Sequence, residues 1–330
     1  DVFLIAVPTP FHSSCNAIPQ PNIDFVLAAA RAIAPVLRSG NLVLLESTSP
    51  VGTTELAASL ISELSGLSFE QFNIAYCPER VLPGSILQEL ISNDRVIGGL
   101  TCSAALAGQD FYSTFCQGEL LSTTARTAEL VKLTENSFRD VNIAFANELS
   151  LVCDHLEINV RELIRLANHH PRVNVLQPGC GVGGHCIAVD PWFIAAAAPH
   201  CTPLIQAARC VNDEKSRWVI EQVQARASDI EDQLGRPARI GCFGLAFKPD
   251  VDDLRESPAL YITTQLMIAG LNVLACEPNL CDHPTIKLHS LEQVLAESDL
   301  LLFLVSHSSF KNLDLSGRMI FDLCGVTEMV

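Results

Sequence analysis

The feature that most constrains the fold is TAELVKLTENSFRDVNIAFANELSLVCDHL (127–156), a run that contains neither glycine nor proline. Nothing in it marks a turn, and Val131, Phe138, Phe145, Leu149 and Val152 recur at helical spacing. The run therefore predicts one long helix. Lys132, Asn136 and Arg139 form a polar stripe on another face of it. Two further helical segments follow, at 159–170 and 203–234, with no convincing strand among them. The middle of the chain is predicted to be all-helical.

On either side the pattern changes. VFLIAV (2–7), LVLLES (42–47), FNIAYCP (72–78) and RVIGG (95–99) read as strands, set between helical patterns at 23–40, closed by Gly40, and at 51–64. From Arg236 the alternation resumes, with strands at 238–247, 272–278, 299–306 and 318–324 and helices at 256–270 and 291–298. Alternation of this kind predicts parallel sheets covered by helices. The expected fold is α/β, with two Rossmann-like parallel α/β domains joined by an all-helical middle domain. The expected divisions are 1–123, 124–235 and 236–330. The opening DVFLIAVPTP has no Met and reads as a strand already inside a fold. The N-terminal domain is thus expected to be truncated.

Composition narrows the function. A net charge of −16, from 21 basic and 37 acidic residues, is a poor footprint for nucleic acid or an anionic membrane. No apolar stretch approaches the ~20 residues needed to span a bilayer. The thirteen cysteines are odd in number, scattered, and without a CxxC pair. That fits neither a secreted disulfide framework nor a metal-binding finger, and a reducing cytoplasm is the expected location.

One segment concentrates chemistry. In QPGCGVGGHCIAVDPWF (177–193), Gly179, Gly181, Gly183 and Gly184 lead to Cys186. A thiol at the start of a helix favours thiolate and could act as a nucleophile. A buried structural cysteine beside a glycine-rich turn is the alternative. If the helix begins there, Asp190 shares a face with Cys186, whereas His185, its neighbour, does not. The glycine pattern is not the dinucleotide fingerprint, because no clean strand precedes it, and GCFGLAF (241–247) has too few glycines.

Several segments together resemble one family, the nucleotide-sugar 6-dehydrogenases. They are VPTP (7–10), ESTSPVGTTE (46–55), YCPERVLPG (76–84), ELVKLTENSFRD (129–140), the glycine-cysteine segment and GLAFKPDVDDLRESPA (244–259). They occur in family order across essentially the whole chain. The resemblance implies an N-terminal NAD domain, a helical dimerising middle and a C-terminal UDP-binding domain. It implies an NAD-dependent, four-electron oxidation of a UDP-sugar at C6, through a thiohemiacetal and a thioester on Cys186. The product would serve surface polysaccharide synthesis, and the enzyme would be a cytoplasmic homodimer.

Roles carry over to matching positions only. Lys132 matches the lysine that stabilises developing oxyanions, Asn136 its partner, and Asp190 the aspartate that works with water. Glu79 and Thr48 match the glutamate and threonine near the reacting centre, and Arg80 adjoins that glutamate at the substrate. Pro8, Thr9 and Pro10, with Thr48, match the loops touching NAD. Lys248 and Arg255 match the cations that meet UDP, and Arg172 an arginine reaching the neighbouring subunit's substrate. Gly183 and Gly184 are expected to let the sugar approach the sulfur. Pro83 stands where many relatives carry a second glutamate, a substitution that suits the mannosamine-type subgroup. The expected substrate is UDP-N-acetyl-D-mannosamine, with UDP-glucose or UDP-N-acetylglucosamine as alternatives. A nucleotide-sugar-binding protein without turnover and a thiol hydrolase are the rival readings.

Overall fold

A computed structural model describes residues 1–12, 18–81 and 85–327. Pro83 lies outside them. The chain divides into two compact units, Asp1–Ser137 with Asp190–Pro203, and Phe138–Val189 with Leu204–Val330.

The first unit holds a five-stranded sheet in the order β1 (Val2–Ile5), β2 (Leu42–Leu45), β3 (Asn73–Tyr76), β4 (Arg95–Gly99), β5 (Leu120–Thr124). Its helices are α1 (Asp24–Ile33), α2 (Thr53–Ser65), α3 (Ile86–Ser92) and α4 (Cys102–Tyr112), the first turns of α5 (Ala125–His155), and α7 (Asp190–Ala197). Strand β2 is apolar and buried at all four positions, as a strand covered on both faces must be. Around its Val43 and Leu45 pack Ile5, Val26, Ala30, Ala57, Ile61 and Ile74.

Two local expectations need correction. The helix read as continuous to Gly40 stops at Ile33, and a short 3-10 turn, Ala34–Val36, follows. Pro35 supplies no N–H and crowds the preceding turn, so the α-helix ends before it. The sheet is also not wholly parallel, because β4 runs antiparallel to β3 through Ala75–Gly99 and Tyr76–Gly98. Those glycines have no room for a side chain. A Cβ at Gly98 would lie 2.6 Å from Ala128 Cβ, and one at Gly99 2.4 Å from the Ala105 nitrogen.

The second unit holds the remainder of α5, then α6 (Val160–Ala167) and α8 (Pro203–Leu234). It also holds a four-stranded parallel sheet ordered β7 (Asn272–Cys276), β6 (Arg239–Phe243), β8 (Leu300–Phe303), β9 (Met319–Asp322). Helices α9 (Pro258–Ile268) and α10 (Leu291–Glu297) complete it. One side of the sheet is filled by Ile240, Cys242, Ile262, Leu300 and Leu302 against α8 and α9. On the other, Phe243, Phe303 and Phe310 pack ring to ring. No helix among the described residues is long and apolar enough to cross a membrane.

Candidate active site

In the first unit, α5 carries Lys132 and Asn136 one turn apart, both half-buried. Asn136 Nδ2 donates to Asp190 Oδ2 at 2.6 Å. Asp190 opens α7 and is only 2% exposed. Burial pushes its carboxyl up to about 6, against the opposing hydrogen bond from Asn136 and the charge of Lys132. A carboxyl that titrates near neutrality, already oriented by an amide, is suited to take a proton from water.

The loops at the carboxyl ends of β1 and β2 lie at the edge where open α/β sheets bind ligands. They are tied together, since Thr9 Oγ1 donates to the Thr48 carbonyl at 2.6 Å. Pro8 and Pro10 are exposed on either side of Thr9. The amino end of α2 would ordinarily attract an anion, but here Glu129 from α5 fills it. Its carboxylate accepts from Gly52 N (2.6 Å), Thr54 N (2.8 Å) and Thr54 Oγ1 (2.6 Å).

Glu79, after β3, folds back on its own backbone and accepts from Arg80 N at 2.6 Å and Val81 N at 3.0 Å. Its other oxygen lies 3.6 Å from Arg95 Nη2. Arg80 is already engaged, with Nη1 on Glu135 Oε1 at 2.8 Å and Nη2 on the Asp94 carbonyl. It acts as a brace from the β3 loop to α5.

In the second unit, the reason for the glycines is visible. Gly184 N donates to the Arg255 carbonyl at 3.1 Å. A Cβ on Gly183 would meet the Glu256 carbonyl at 2.4 Å, and one on Gly184 the Phe247 ring at 2.9 Å. Gly184 also has φ +85, and Gly181 φ +141 with Ser216 Oγ 2.8 Å from where its Cβ would be. The loop carrying Cys186 is therefore wedged onto the loop carrying Lys248 and Arg255, and only glycine fits. Arg255 is gripped by Asp253, with Nε 2.9 Å and Nη2 2.5 Å from its oxygens. It is held above the ordinary arginine range first by that bond and then, more weakly, by Cys186. A guanidinium close to a thiol favours the thiolate.

Cys186 is half-buried but not helical. Residues 185–189 form turns, and α7 begins only at Asp190. The expectation that Cys186 and Asp190 share a helix face is thus incorrect. Pro191 suits the first turn of a helix, which places the start at Asp190 rather than at the thiol. Arg172 is exposed in a turn. Of the apolar residues on α5, Phe138 (68%), Phe145 (53%) and Val152 (48%) face solvent rather than a core.

Two buried networks in this unit escaped the sequence reading. In one, Arg209 Nη1 and Asn212 Nδ2 both donate to Asp140 Oδ1 at 2.8 Å, and Asn147 links Asn212 (2.9 Å) to Gly179 N (2.9 Å). It anchors the start of the glycine loop to α5 and α8. In the other, Glu277 Oε2 accepts from Leu245 N (2.7 Å) and Ala246 N (3.0 Å) and pairs with His307 Nε2 at 3.1 Å. Asp250 N donates to His307 Nδ1 at 3.0 Å, which leaves Nε2 facing Glu277. Glu277 sits where a dinucleotide fold presents its ribose-binding acid, and this sheet spends it on the Lys248 loop instead. The one available signal was spacing: Asp140 and Asn147, like Arg209, Asn212 and Ser216, repeat at helical intervals.

Comparison with known proteins fits these parts. The family models for the UDP-glucose/GDP-mannose dehydrogenases match as the NAD binding domain over residues 1–116, the central domain over 126–214 and the UDP binding domain over 241–329. The chain is 54% identical over 326 residues to the UDP-N-acetyl-D-mannosamine dehydrogenase of Campylobacter jejuni, covering 94% of this chain and 78% of that one. It is 50% identical over 342 residues to the NDP-N-acetyl-D-galactosaminuronic acid dehydrogenase of Ralstonia solanacearum, covering 99% and 79%. A solved UDP-N-acetyl-mannosamine dehydrogenase from S. aureus superposes with a TM-score of 0.86 at 42% identity, covering 99% and 78%. The fold and its domains define an NAD-dependent UDP-sugar dehydrogenase. The chain belongs to the UDP-glucose/GDP-mannose dehydrogenase family.

Proposed function

We propose that the enzyme oxidises UDP-N-acetyl-D-mannosamine at C6 to the uronic acid in two steps, holding the intermediate on Cys186. The observation that carries this reading is the buried Asp190 carboxyl, set by Asn136 and titrating near neutrality at about 6. The choice of sugar rests on similarity to the C. jejuni and S. aureus enzymes.

Pro8, Thr9, Pro10 and Thr48 would hold NAD at the carboxyl ends of β1 and β2, where Thr9 already joins the two loops. Bound NAD supplies hydride acceptance, once per oxidation. Lys132 and Asn136 stabilise charge on the C6 oxygen as each hydride leaves. The Cys186 thiolate adds to the aldehyde carbon to give a thiohemiacetal. Loss of the second hydride from that carbon leaves a thioester. Asp190 takes a proton from the attacking water, the carbon–sulfur bond breaks, and the thiolate and carboxylate are released. Lys248 and Arg255 meet the diphosphate, Glu79 and Arg80 border the sugar, and Gly183 and Gly184 seat the thiol.

The exposed Phe138, Phe145 and Val152 stripe supports a homodimer through α5, with Arg172 offered to the partner's substrate. We retain the division into 1–123, 124–235 and 236–330, a cytoplasmic location and a role in surface polysaccharide synthesis as parts of this proposal. None of the twelve cysteines among the described residues is joined in a disulfide, which supports a reducing compartment.

The test is NADH formed per sugar, with UDP-N-acetyl-D-mannosamine limiting and NAD in excess. Two per sugar is expected, and Cys186→Ser should yield no acid. One NADH per sugar, or acid from the serine variant, would overturn the thioester route. The R. solanacearum relative makes the galactosamine epimer the competitor to run beside it.

A further inference from the structure

Within the first unit one guanidinium is buried among aromatic rings and carboxylates. Arg95, the first residue of β4, is 4% exposed. Its guanidinium lies over the Tyr112 ring, 4.7 Å from the centroid, and within 5.9 Å of the Phe115 ring centre. Nη1 reaches Cys77 Sγ at 3.9 Å, and Nη2 reaches the Leu90 carbonyl at 3.4 Å. Burying a guanidinium is costly unless it has an anion to serve. The salt-bridge partner of Arg95 is Glu79, 3.6 Å from Nη2.

The other groups around this pair point the same way. Glu46, after β2, receives the Tyr112 hydroxyl at 2.5 Å. It is pushed up by burial and by the neighbouring Glu79, against the Tyr112 bond and the charge of Arg95. Two carboxylates thus face one guanidinium, with Cys77 and Tyr112 closing the cluster. Glu79 has one oxygen fastened to the N–H groups of Arg80 and Val81. The other oxygen lies 3.6 Å from Arg95 Nη2, an ionic contact longer than a hydrogen bond, which draws that oxygen toward the guanidinium by charge.

We propose that Arg95 is a positioning residue that acts on the reaction through Glu79, setting the direction in which that carboxylate presents itself. The inference rests on the reading of Glu79 as part of the reacting centre.

The test is a double-mutant cycle in the full chain with UDP-N-acetyl-D-mannosamine and NAD. Arg95→Met should lower kcat about 10- to 100-fold, the range of coupling between residues in one polar network, with KM for the UDP-sugar within about twofold. Arg95→Lys, which keeps the charge, should recover most of that loss. In a Glu79→Gln background, Arg95→Met should cost nothing further. If Arg95→Met does not fold, Arg95→Lys carries the cycle, its smaller loss again vanishing beside Glu79→Gln. Losses that multiply in the double variant, or a change in KM with kcat intact, would assign Arg95 to folding or binding and overturn the inference alone. A Glu79→Gln enzyme turning over at the wild-type rate would remove the reading of Glu79, and the inference with it.

Discussion

Glu46 and Glu277 hold comparable posts in different halves of the molecule. Each is the residue directly after a parallel strand, the interior strand β2 for one and the edge strand β7 for the other. Burial pushes both carboxyls upward, yet the outcomes differ. Glu46 stays raised, because Tyr112 and the charge of Arg95 offset burial only in part. Glu277 ends below its ordinary range, because the His307 bond and the N–H groups of Leu245 and Asn279 outweigh burial. The contrast extends to their neighbours. Glu129 and Asp190 in the first unit, and Asp140 in the second, are raised by burial. Asp322, after burial is counted, is lowered by Thr327, Cys324 and Gly325. The number of donors aimed at a carboxylate, rather than its depth alone, decides whether it ends above its ordinary range or below it as a fixed organiser of loops.

Asp190→Asn should break this contrast most visibly. Loss of the base should slow acid formation by about 10²- to 10⁴-fold and leave sugar bound to Cys186, to be read by intact-protein mass spectrometry. Stability should move the other way. The folded value of about 6 lies above the ordinary aspartate value, so the native state holds the extra proton. Its advantage is complete below the unfolded value and is lost as pH rises through about 6. The asparagine variant should therefore be more stable at pH 8 by about 1–2 kcal/mol and lose the advantage at pH 4. Parallel pH profiles for the two proteins in urea would contradict the assignment.

Glu277→Gln tests the opposite half. Its folded value is depressed, so its contribution is present above the unfolded range and lost as pH falls through the folded one. An amide cannot accept on both sides, so either the Leu245 and Ala246 N–H groups or the Asn279 N–H group would lose their partner. A cost of about 2–4 kcal/mol at pH 7 is expected, with faster amide exchange at Leu245 and Ala246 or at Asn279. Unchanged protection at all three amides would show that the Lys248 loop is held by something else.

Glu46→Gln should do least. The amide oxygen can still receive the Tyr112 hydroxyl, and a carboxylate that is already raised gives up little when neutralised. A change within about 1 kcal/mol at pH 7 is expected, by thermal unfolding. A loss as large as that of Glu277→Gln would erase the distinction between the two posts.

Much of this was legible in the chain before any coordinates. Strands such as LVLL and LLLF are apolar runs that can only be buried, and α5 follows from thirty residues without a turn signal. The motif around Lys132 and Asn136, one turn apart, already placed both on one face. What the sequence could not show is where chains distant in number meet. Asp190 is oriented by Asn136, 54 residues away, and Glu277 is fastened to His307, 30 residues away. Pro35 is a readable stop, since its ring ends the helix within its own local window. The antiparallel β4 is not readable, because its pairing rests on two residue pairs.

The sequence by itself determined the periods, namely which segments are strand and which helix, and the residue types available for chemistry. These depend on windows of a few residues, where hydrophobic spacing and turn propensity act locally. Only the tertiary structure decided the purpose of the glycines, the start of α7 and the state of each buried carboxyl. The reason is that solvation inside a protein is supplied by donors from elsewhere in the chain, and no local window contains them.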